Sequence, residues 1–306
     1  MRDHWLIILV LSLLVAFGGP LLLGLASRRA KGQGTADAAF QVRWSWPWRL
    51  TLASALLYTL AFNLVFFVQE LFLVLPKAAT PGLHPVLFHN NHDWTGHNPL
   101  AELFQGTGAL AILLVGLSAL WWLRRTASRS ASWRLFAVWA AAVGVFMSLA
   151  QVVIGAMLPP NDVGRAMDYL GLPLPLIWLA AAIALLAMAA AGTWLARPLL
   201  ALADDPARIA GPAGRSLFVF QVGTLPALAG AGLVLPFRVP GSLDQVAILP
   251  VVVTLLAVAW IQAGAWRARP LQAADGLRPP SLVIPLAALA VNLLVFQLVL
   301  RPGVAF

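Results

Sequence analysis

Eight runs of predominantly apolar residues, each roughly 20 residues long, constrain the fold of this chain more than any other feature. Because an α-helix rises roughly 1.5 Å per residue, one such run crosses the hydrocarbon core of a bilayer. The sequence therefore predicts an all-α, polytopic transmembrane helical bundle of about eight spans, with residues 1–306 forming a single integral membrane domain. The predicted spans are 5–26, 51–75, 103–123, 135–158, 173–195, 216–236, 246–266 and 281–300.

The composition excludes other classes of protein. The chain is 61% hydrophobic and only 10% charged, and its mean hydropathy is +0.86. Soluble domains carry about 25% charged residues, well above the fraction in this chain. Disordered chains contain fewer apolar residues than soluble domains do. The absence of cysteine excludes disulfides and thiolate chemistry. The net charge of +9 is explained by basic loops beside spans rather than by nucleic-acid binding.

The basic residues also predict the orientation. Fifteen of the 20 Lys and Arg residues fall in the gaps that follow the first, third, fifth and seventh spans. Loops rich in Lys and Arg stay in the cytoplasm, so both termini are predicted on the extracytoplasmic side. We expect the chain to lie in the inner (plasma) membrane of a bacterium, in contact with membrane lipid.

Scarce ionisable side chains collect at one predicted outer loop. The two glutamates of the chain, Glu70 and Glu102, flank a loop that holds four of its five histidines. Glu70 lies inside the second span, where an ionisable group costs several kcal/mol and usually has a functional role. We therefore predict Glu70 and Glu102 as a catalytic acid–base pair. Glu102 also suits a helix start, since Asn98 and Pro99 precede it.

Amide side chains fall in the same outer layer of the predicted spans. They suggest a polar substrate pocket that opens outward beneath the histidine loop. Its predicted lining is Asn63, Gln69, Gln105, Gln151 and Gln297. Asn63 and Glu70 are seven residues apart and therefore share one helix face.

The histidine loop is a candidate metal site. His89, His92 and His97, with Asp93 between them and His84 upstream, offer imidazole and carboxylate ligands for a divalent ion, with zinc or iron preferred. The alternative is that this loop is only a polar surface near lipid headgroups. Asp162 and Asp168, in a second outer loop, are either solvated charges or further members of this site.

These features leave three functions open. The first is a membrane-embedded enzyme that acts on a lipid, lipid-linked or other apolar substrate. It would be a hydrolase that uses metal-activated water, or an isomerase-like or cyclase-like enzyme that uses the glutamates. The second is a transporter or metal-handling permease. The third is a non-catalytic subunit of a membrane complex. Small residues such as Gly106, Gly108, Gly230 and Gly232 are predicted to permit close helix packing.

Overall fold

The fold is a helical bundle with a small β-sheet at one end. A computed structural model describes residues 9–10, 12–31, 46–126, 130–241, 243–268 and 277–306, without the side chains of residues 28–31, 244 and 245. Its helices are α1 (Gly19–Lys31), α2 (Trp48–Ala78), α3 (Leu100–Arg125), α4 (Ala131–Met157), α5 (Asp162–Tyr169), α6 (Leu174–Leu200), α7 (Pro212–Phe237), α8 (Val246–Arg267) and α9 (Val283–Leu300). Its strands are β1 (Leu83–Leu87), β2 (His92–Gly96) and β3 (Val304–Ala305).

Seven of these helices are long and apolar enough to cross a membrane, namely α2, α3, α4, α6, α7, α8 and α9. They confirm the predicted all-α polytopic class and identify an integral membrane protein. The predicted first span, 5–26, falls partly outside the described residues. Its described part contains an apolar helix, Leu14–Ser27, that is shorter than the other seven.

The connections between helices gather at two opposite ends of the bundle. At one end, Arg49 Nε donates to the Pro280 carbonyl (3.0 Å), and Ser130 pairs with Arg278. At the other end, Asn90 Nδ2 donates to the carbonyls of Arg238 and Pro240 (2.8 Å each). This partition matches the alternation of basic and non-basic loops, and the two ends are called the arginine-rich end and the histidine end below.

Helix α2 is buried in the centre of the bundle and is held by polar side chains as well as by packing. Ser54 Oγ donates to the Val222 carbonyl (2.6 Å), and the Tyr58 and Thr254 hydroxyls lie 2.6 Å apart. Thr59 Oγ1 donates to the carbonyls of Ala55 and Gly230 (3.0 and 3.2 Å). In an apolar medium such groups need partners, so these polar residues join α2 to α7 and α8.

Glycines allow helix backbones to approach closely, as predicted, although not at every predicted position. A Cβ atom at Gly108 would lie 2.9 Å from the Gln69 carbonyl oxygen, and one at Gly230 would lie 2.5 Å from the Tyr58 ring. At Gly106 the nearest atom is the Ala166 Cβ, 3.0 Å away. A Cβ at Gly232 would meet nothing within 4 Å.

The predicted outer loop between the second and third spans is a β-hairpin rather than an irregular loop. Strands β1 and β2 pair antiparallel, with Leu87 opposite His92 and Leu83 opposite Gly96. Strand β3, at the end of the chain, adds to the other edge of β1. Periodicity did not reveal the strands, since Pro, Asp and Gly are depleted in strands and yet occur in β1 and β2, and β3 is only two residues long. The hairpin holds His92 over the end of α2.

Candidate functional site

Glu70 and His92 form a buried hydrogen-bonded pair at the histidine end of the bundle. His92 Nδ1 lies 2.8 Å from Glu70 Oε2, and the two side chains are only 7% and 6% exposed. An ionised carboxylate is only an acceptor, so Nδ1 carries the proton that it donates. His92 Nε2 is then an acceptor, and it is buried with no hydrogen-bond partner among the described residues. This nitrogen is free to take a proton from another molecule.

Aromatic and cationic groups cover this pair. The ring of Trp94 stacks on His92 with centroids 5.9 Å apart and an interplanar angle of 11°. Lys77 Nζ lies 4.5 Å from the centre of the Trp94 ring, and the Arg165 guanidinium lies 5.3 Å from it. His92 and Trp94 share one face of β2 because side chains alternate along a strand. The strand thus supplies both the titratable ring and the aromatic ring that covers it.

Lys77 is a fully buried cation at the last turn of α2. Its Nζ donates to the Leu73 carbonyl (2.9 Å), and its relative exposure is 0%. It is attracted by Asp162, Glu70 and Glu102. Sequence reasoning missed Lys77, although Asn63, Glu70 and Lys77 are spaced seven apart and so lie on one face of α2.

Glu102 does not face Glu70 as a free acid, because it is paired with Arg165. Arg165 Nε and Nη2 donate to its two carboxylate oxygens at 2.5 and 2.7 Å. The Glu102 side chain is 42% exposed and the Arg165 side chain 33%, so solvent screens this pair. The bidentate contact fixes the guanidinium beside Trp94, and the role that it supports for Glu102 is orientation of Arg165.

Asp162, at the start of α5, belongs to the same cluster rather than to a solvated loop. Burial and the negative charge of Glu70 raise its pKa above the ordinary value of 3.8, and His92, Lys77 and Arg165 partly oppose that rise. Asp168, one and a half turns further along α5, is exposed. The cluster therefore combines Glu70, Lys77, His92, Glu102, Asp162 and Arg165, and we call it the charged cluster.

Arg238 lies beneath the hairpin and is also fully buried. Its Nη2 donates to Asn63 Oδ1 (3.0 Å), and its guanidinium lies 3.7 Å from the centre of the Phe66 ring. It is attracted by Glu70. Asn63, a predicted pocket residue, thus orients a cation that the sequence did not connect with the site, because Arg238 comes from a loop 175 residues away.

The predicted amide layer is only partly brought together. Gln151 Nε2 donates to Gln69 Oε1 (2.9 Å), and Gln69 Nε2 lies 3.5 Å from Glu70 Oε1, so these two amides adjoin the charged cluster. Gln105 is buried, and its Oε1 has no partner in the described part of the chain. Gln297 instead donates to the carbonyls of Pro236 and Val239 (2.9 Å each) and closes the end of α7.

The predicted metal site is not supported. Among the described residues, no three His, Asp or Glu side chains converge in a way that could hold an ion. The pleat of β2 turns Asp93 away from the face of His92, and His92 is already bonded to Glu70. The side chains of His84 and His97 are exposed, whereas His89 is buried at the turn.

His89 is buried in a cationic environment. Its pKa is lowered by burial and by the nearby charges of Arg238 and Arg301, while the Val239 backbone opposes this shift. A ring that resists protonation in this position remains uncharged beneath the hairpin at neutral pH. This environment favours a packing role for His89.

Reaction of the histidines with diethyl pyrocarbonate is expected to separate them by burial. His84 and His97 are exposed and should be modified first, whereas His89 and His92 should react at least about tenfold more slowly, because the reagent requires an accessible ring nitrogen. Peptide mass spectrometry of the protein in detergent measures each site. Rapid modification of His92 in the folded protein would contradict the buried Glu70–His92 pair.

The Asp162→Asn variant is expected to gain stability relative to wild type as pH rises. The raised pKa means that the folded protein prefers the neutral Asp162 carboxyl. The contribution of this carboxyl to the unfolding free energy of wild type is therefore fully present below pH 3.8, and it is lost as pH rises through the higher pKa of the folded state. Melting curves at pH 4 and pH 7.5 measure the change.

The Asp168→Asn variant is the matched control, since it removes an exposed carboxylate from the same helix. If the difference between Asp162→Asn and wild type is the same at both pH values, Asp162 is not held in a site that disfavours its charge.

No protein-family model, no curated protein and no solved structure matches this chain. The class that the fold defines is that of a polytopic integral membrane protein.

Proposed function

We propose that this protein is a membrane-embedded acid–base enzyme that acts on a lipid or lipid-linked substrate at the extracytoplasmic side, with His92 as the proton-transferring group. The observation that carries the proposal is the buried 2.8 Å contact between His92 Nδ1 and Glu70 Oε2, with His92 Nε2 left without a partner in the described residues. A carboxylate that fixes one nitrogen of an imidazole prepares the other nitrogen to accept and return a proton.

In an isomerisation or cyclisation, His92 Nε2 removes a proton from the substrate and returns it to another atom of the substrate. In a hydrolysis, His92 Nε2 removes a proton from the attacking water and returns it to the leaving group. In both cases Glu70 stabilises the imidazolium that forms in between. Neither reaction changes an oxidation state, so neither needs an electron acceptor. Glu70 acts through His92 and is therefore a positioning residue, and Glu102 positions Arg165.

The cations of the charged cluster favour a substrate with an anionic headgroup. Lys77 and Arg165 contact the same Trp94 ring, at the depth where α2 ends and headgroups begin. Low dielectric strengthens the attraction between a buried cation and a phosphate or carboxylate. A lipid would reach this region laterally from the outer leaflet, with its acyl chains remaining among the helices.

The test uses the purified protein in vesicles made from a total bacterial lipid extract, with lipids compared by mass spectrometry before and after incubation. We expect wild type to convert at least one lipid species and the His92→Gln variant to lose that conversion. The His84→Gln and His97→Gln variants, exposed histidines of the same hairpin, serve as controls and should remain active.

Two outcomes would overturn the enzyme proposal. One is a lipid profile that wild type and His92→Gln leave identical. The other is a Glu70-dependent flux of protons or metal ions across sealed vesicles without lipid conversion, which would identify a transporter instead.

A further inference from the structure

A cavity at the arginine-rich end of the bundle, opposite the charged cluster, is not used by the proposed function. Its volume is about 430 Å³, within the range of small-molecule sites. It lies between the last turns of α6 and α8, beside α1. The residues that line it are Leu23, Ala189, Ala190, Thr193, Trp194, Arg197, Trp260, Gly264, Arg267 and Ala268.

Glycine contacts between α6 and α8 form the floor of this cavity. A Cβ atom at Gly264 would lie 2.5 Å from the Thr193 carbonyl oxygen, and one at Gly192 would lie 2.5 Å from the Trp260 Cβ. The two helices therefore cross at backbone contact. The indole of Trp260 reaches α1, since a Cβ atom at Gly19 would lie 2.7 Å from its ring.

The polar mouth of the cavity is positively charged. Arg197 and Arg267 both line it, and no acidic side chain of the described residues does. Arg267 Nε donates to Ser27 Oγ (3.1 Å), which fixes the guanidinium at the rim through α1. A third guanidinium, that of Arg124, lies 4.9 Å from the centre of the Trp194 ring, on the same side. The nearby Asp204 carboxylate accepts from Arg208 (3.0 Å) and lies outside the lining.

The inner part of the cavity is apolar. From Arg197 to Ala189 the lining of α6 descends eight residues, or about 12 Å along the helix, toward the hydrocarbon core. Thr193 lies between these ends, and Leu23 and Ala190 border the inner part. The site thus has two cations at interfacial depth, a hydroxyl below them, and small apolar residues at acyl-chain depth.

An arginine at the C-terminal end of a helix is commonly explained by its favourable interaction with the helix dipole. That interaction does not explain why Arg197 and Arg267 line the same cavity. Two arginines from different helices converge on one space, and that space continues into an apolar groove. Basic pockets between transmembrane helices on the cytoplasmic side are typical of sites for anionic lipid headgroups. The orientation predicted from the basic loops places this end in the cytoplasmic leaflet.

From this geometry we infer a binding site for one anionic phospholipid between α1, α6 and α8, with its phosphate held by Arg197 and Arg267 and an acyl chain lying along Ala190 and Leu23. The Thr193 hydroxyl is placed to contact the glycerol region. This site is independent of the charged cluster, which lies at the other end of the helices.

The test is native mass spectrometry of the detergent-purified protein titrated with phosphatidylglycerol, and in parallel with zwitterionic phosphatidylcholine. Wild type should retain one phosphatidylglycerol and bind phosphatidylcholine more weakly. The double variant Arg197→Gln/Arg267→Gln should lose about 30-fold in apparent affinity for phosphatidylglycerol, or about 2 kcal/mol at 1.4 kcal/mol per factor of ten.

Two further variants keep the result interpretable. The Arg125→Gln/Arg278→Gln variant removes the same charge from the same end but outside the cavity, and it should bind like wild type. The Ala190→Phe variant fills the apolar part without changing charge and should also weaken binding. The inference is overturned if both double variants lose affinity equally, if phosphatidylcholine binds as tightly, if Ala190→Phe binds normally, or if inorganic phosphate displaces the lipid.

Discussion

The Gly144→Leu variant is expected to lose about 3 kcal/mol or more of unfolding free energy. Gly144 lies where α4 crosses α3. A Cβ atom there would lie 2.6 Å from the Ile112 carbonyl oxygen and 2.9 Å from the Gly116 amide nitrogen. Since both are backbone atoms, the leucine cannot be accommodated by a rotamer change, and the helices must separate.

The reciprocal contact on α3 is equally close, which makes the crossing symmetrical. A Cβ atom at Gly116 would lie 2.7 Å from the Val145 amide nitrogen. Inside a membrane, helices associate largely through packing of this kind, because the lipid chains are as apolar as the side chains. Separation of α3 from α4 therefore removes a major source of stability.

Unfolding by sodium dodecyl sulfate in dodecyl maltoside, followed by circular dichroism, measures the loss. The Gly232→Leu variant is the matched control, because a Cβ atom there meets nothing within 4 Å and the position is exposed on α7. A Gly144→Leu protein as stable as the Gly232→Leu protein would show that the α3–α4 crossing is wider than the structure has it.

The sequence predicted the spans well because their signal is local. A run of about twenty apolar residues needs no knowledge of its neighbours to be identified as a membrane helix. The pairs of glycines at helix crossings are different, since the role of Gly116 and Gly144 depends on the contact between them, which the sequence does not show. Their neighbours in sequence do not distinguish them from Gly232, which was predicted to permit close packing and has open space around it.

The candidate site was predicted in part, for a similar reason. Glu70 stood out because a carboxylate in an apolar run is rare, and the histidines stood out by density. Arg165 and Arg238 did not, since in the sequence each looks like an ordinary arginine between spans. Only the fold brings Arg165 into the charged cluster and Arg238 beneath the hairpin. The metal hypothesis rested on the spacing of His89, His92 and His97 in the sequence, whereas the pleat of β2 determines which side chains share a face.

Glu70 and His92 are expected to behave as one catalytic unit in a double-mutant cycle. The His92→Gln variant should lower the rate of lipid conversion by about 10² to 10⁴, the usual contribution of general acid–base catalysis. The Glu70→Gln variant should lower it by at least about 10², since the amide no longer fixes the imidazole. The double variant should be no slower than His92→Gln, because Glu70 acts through His92.

The non-additivity separates this mechanism from two alternatives that the single variants cannot distinguish. If Glu70 contacted the substrate independently, the two losses would multiply, and the double variant would be slower than either single variant. If Glu70 only stabilised the fold, its replacement would lower the unfolding free energy without changing the tautomer of His92. The ¹⁵N resonances of His92 decide the second point, because wild type should hold the proton on Nδ1 and Glu70→Gln should show both tautomers. A single Nδ1-protonated tautomer in Glu70→Gln would mean that the 2.8 Å contact does not orient the ring.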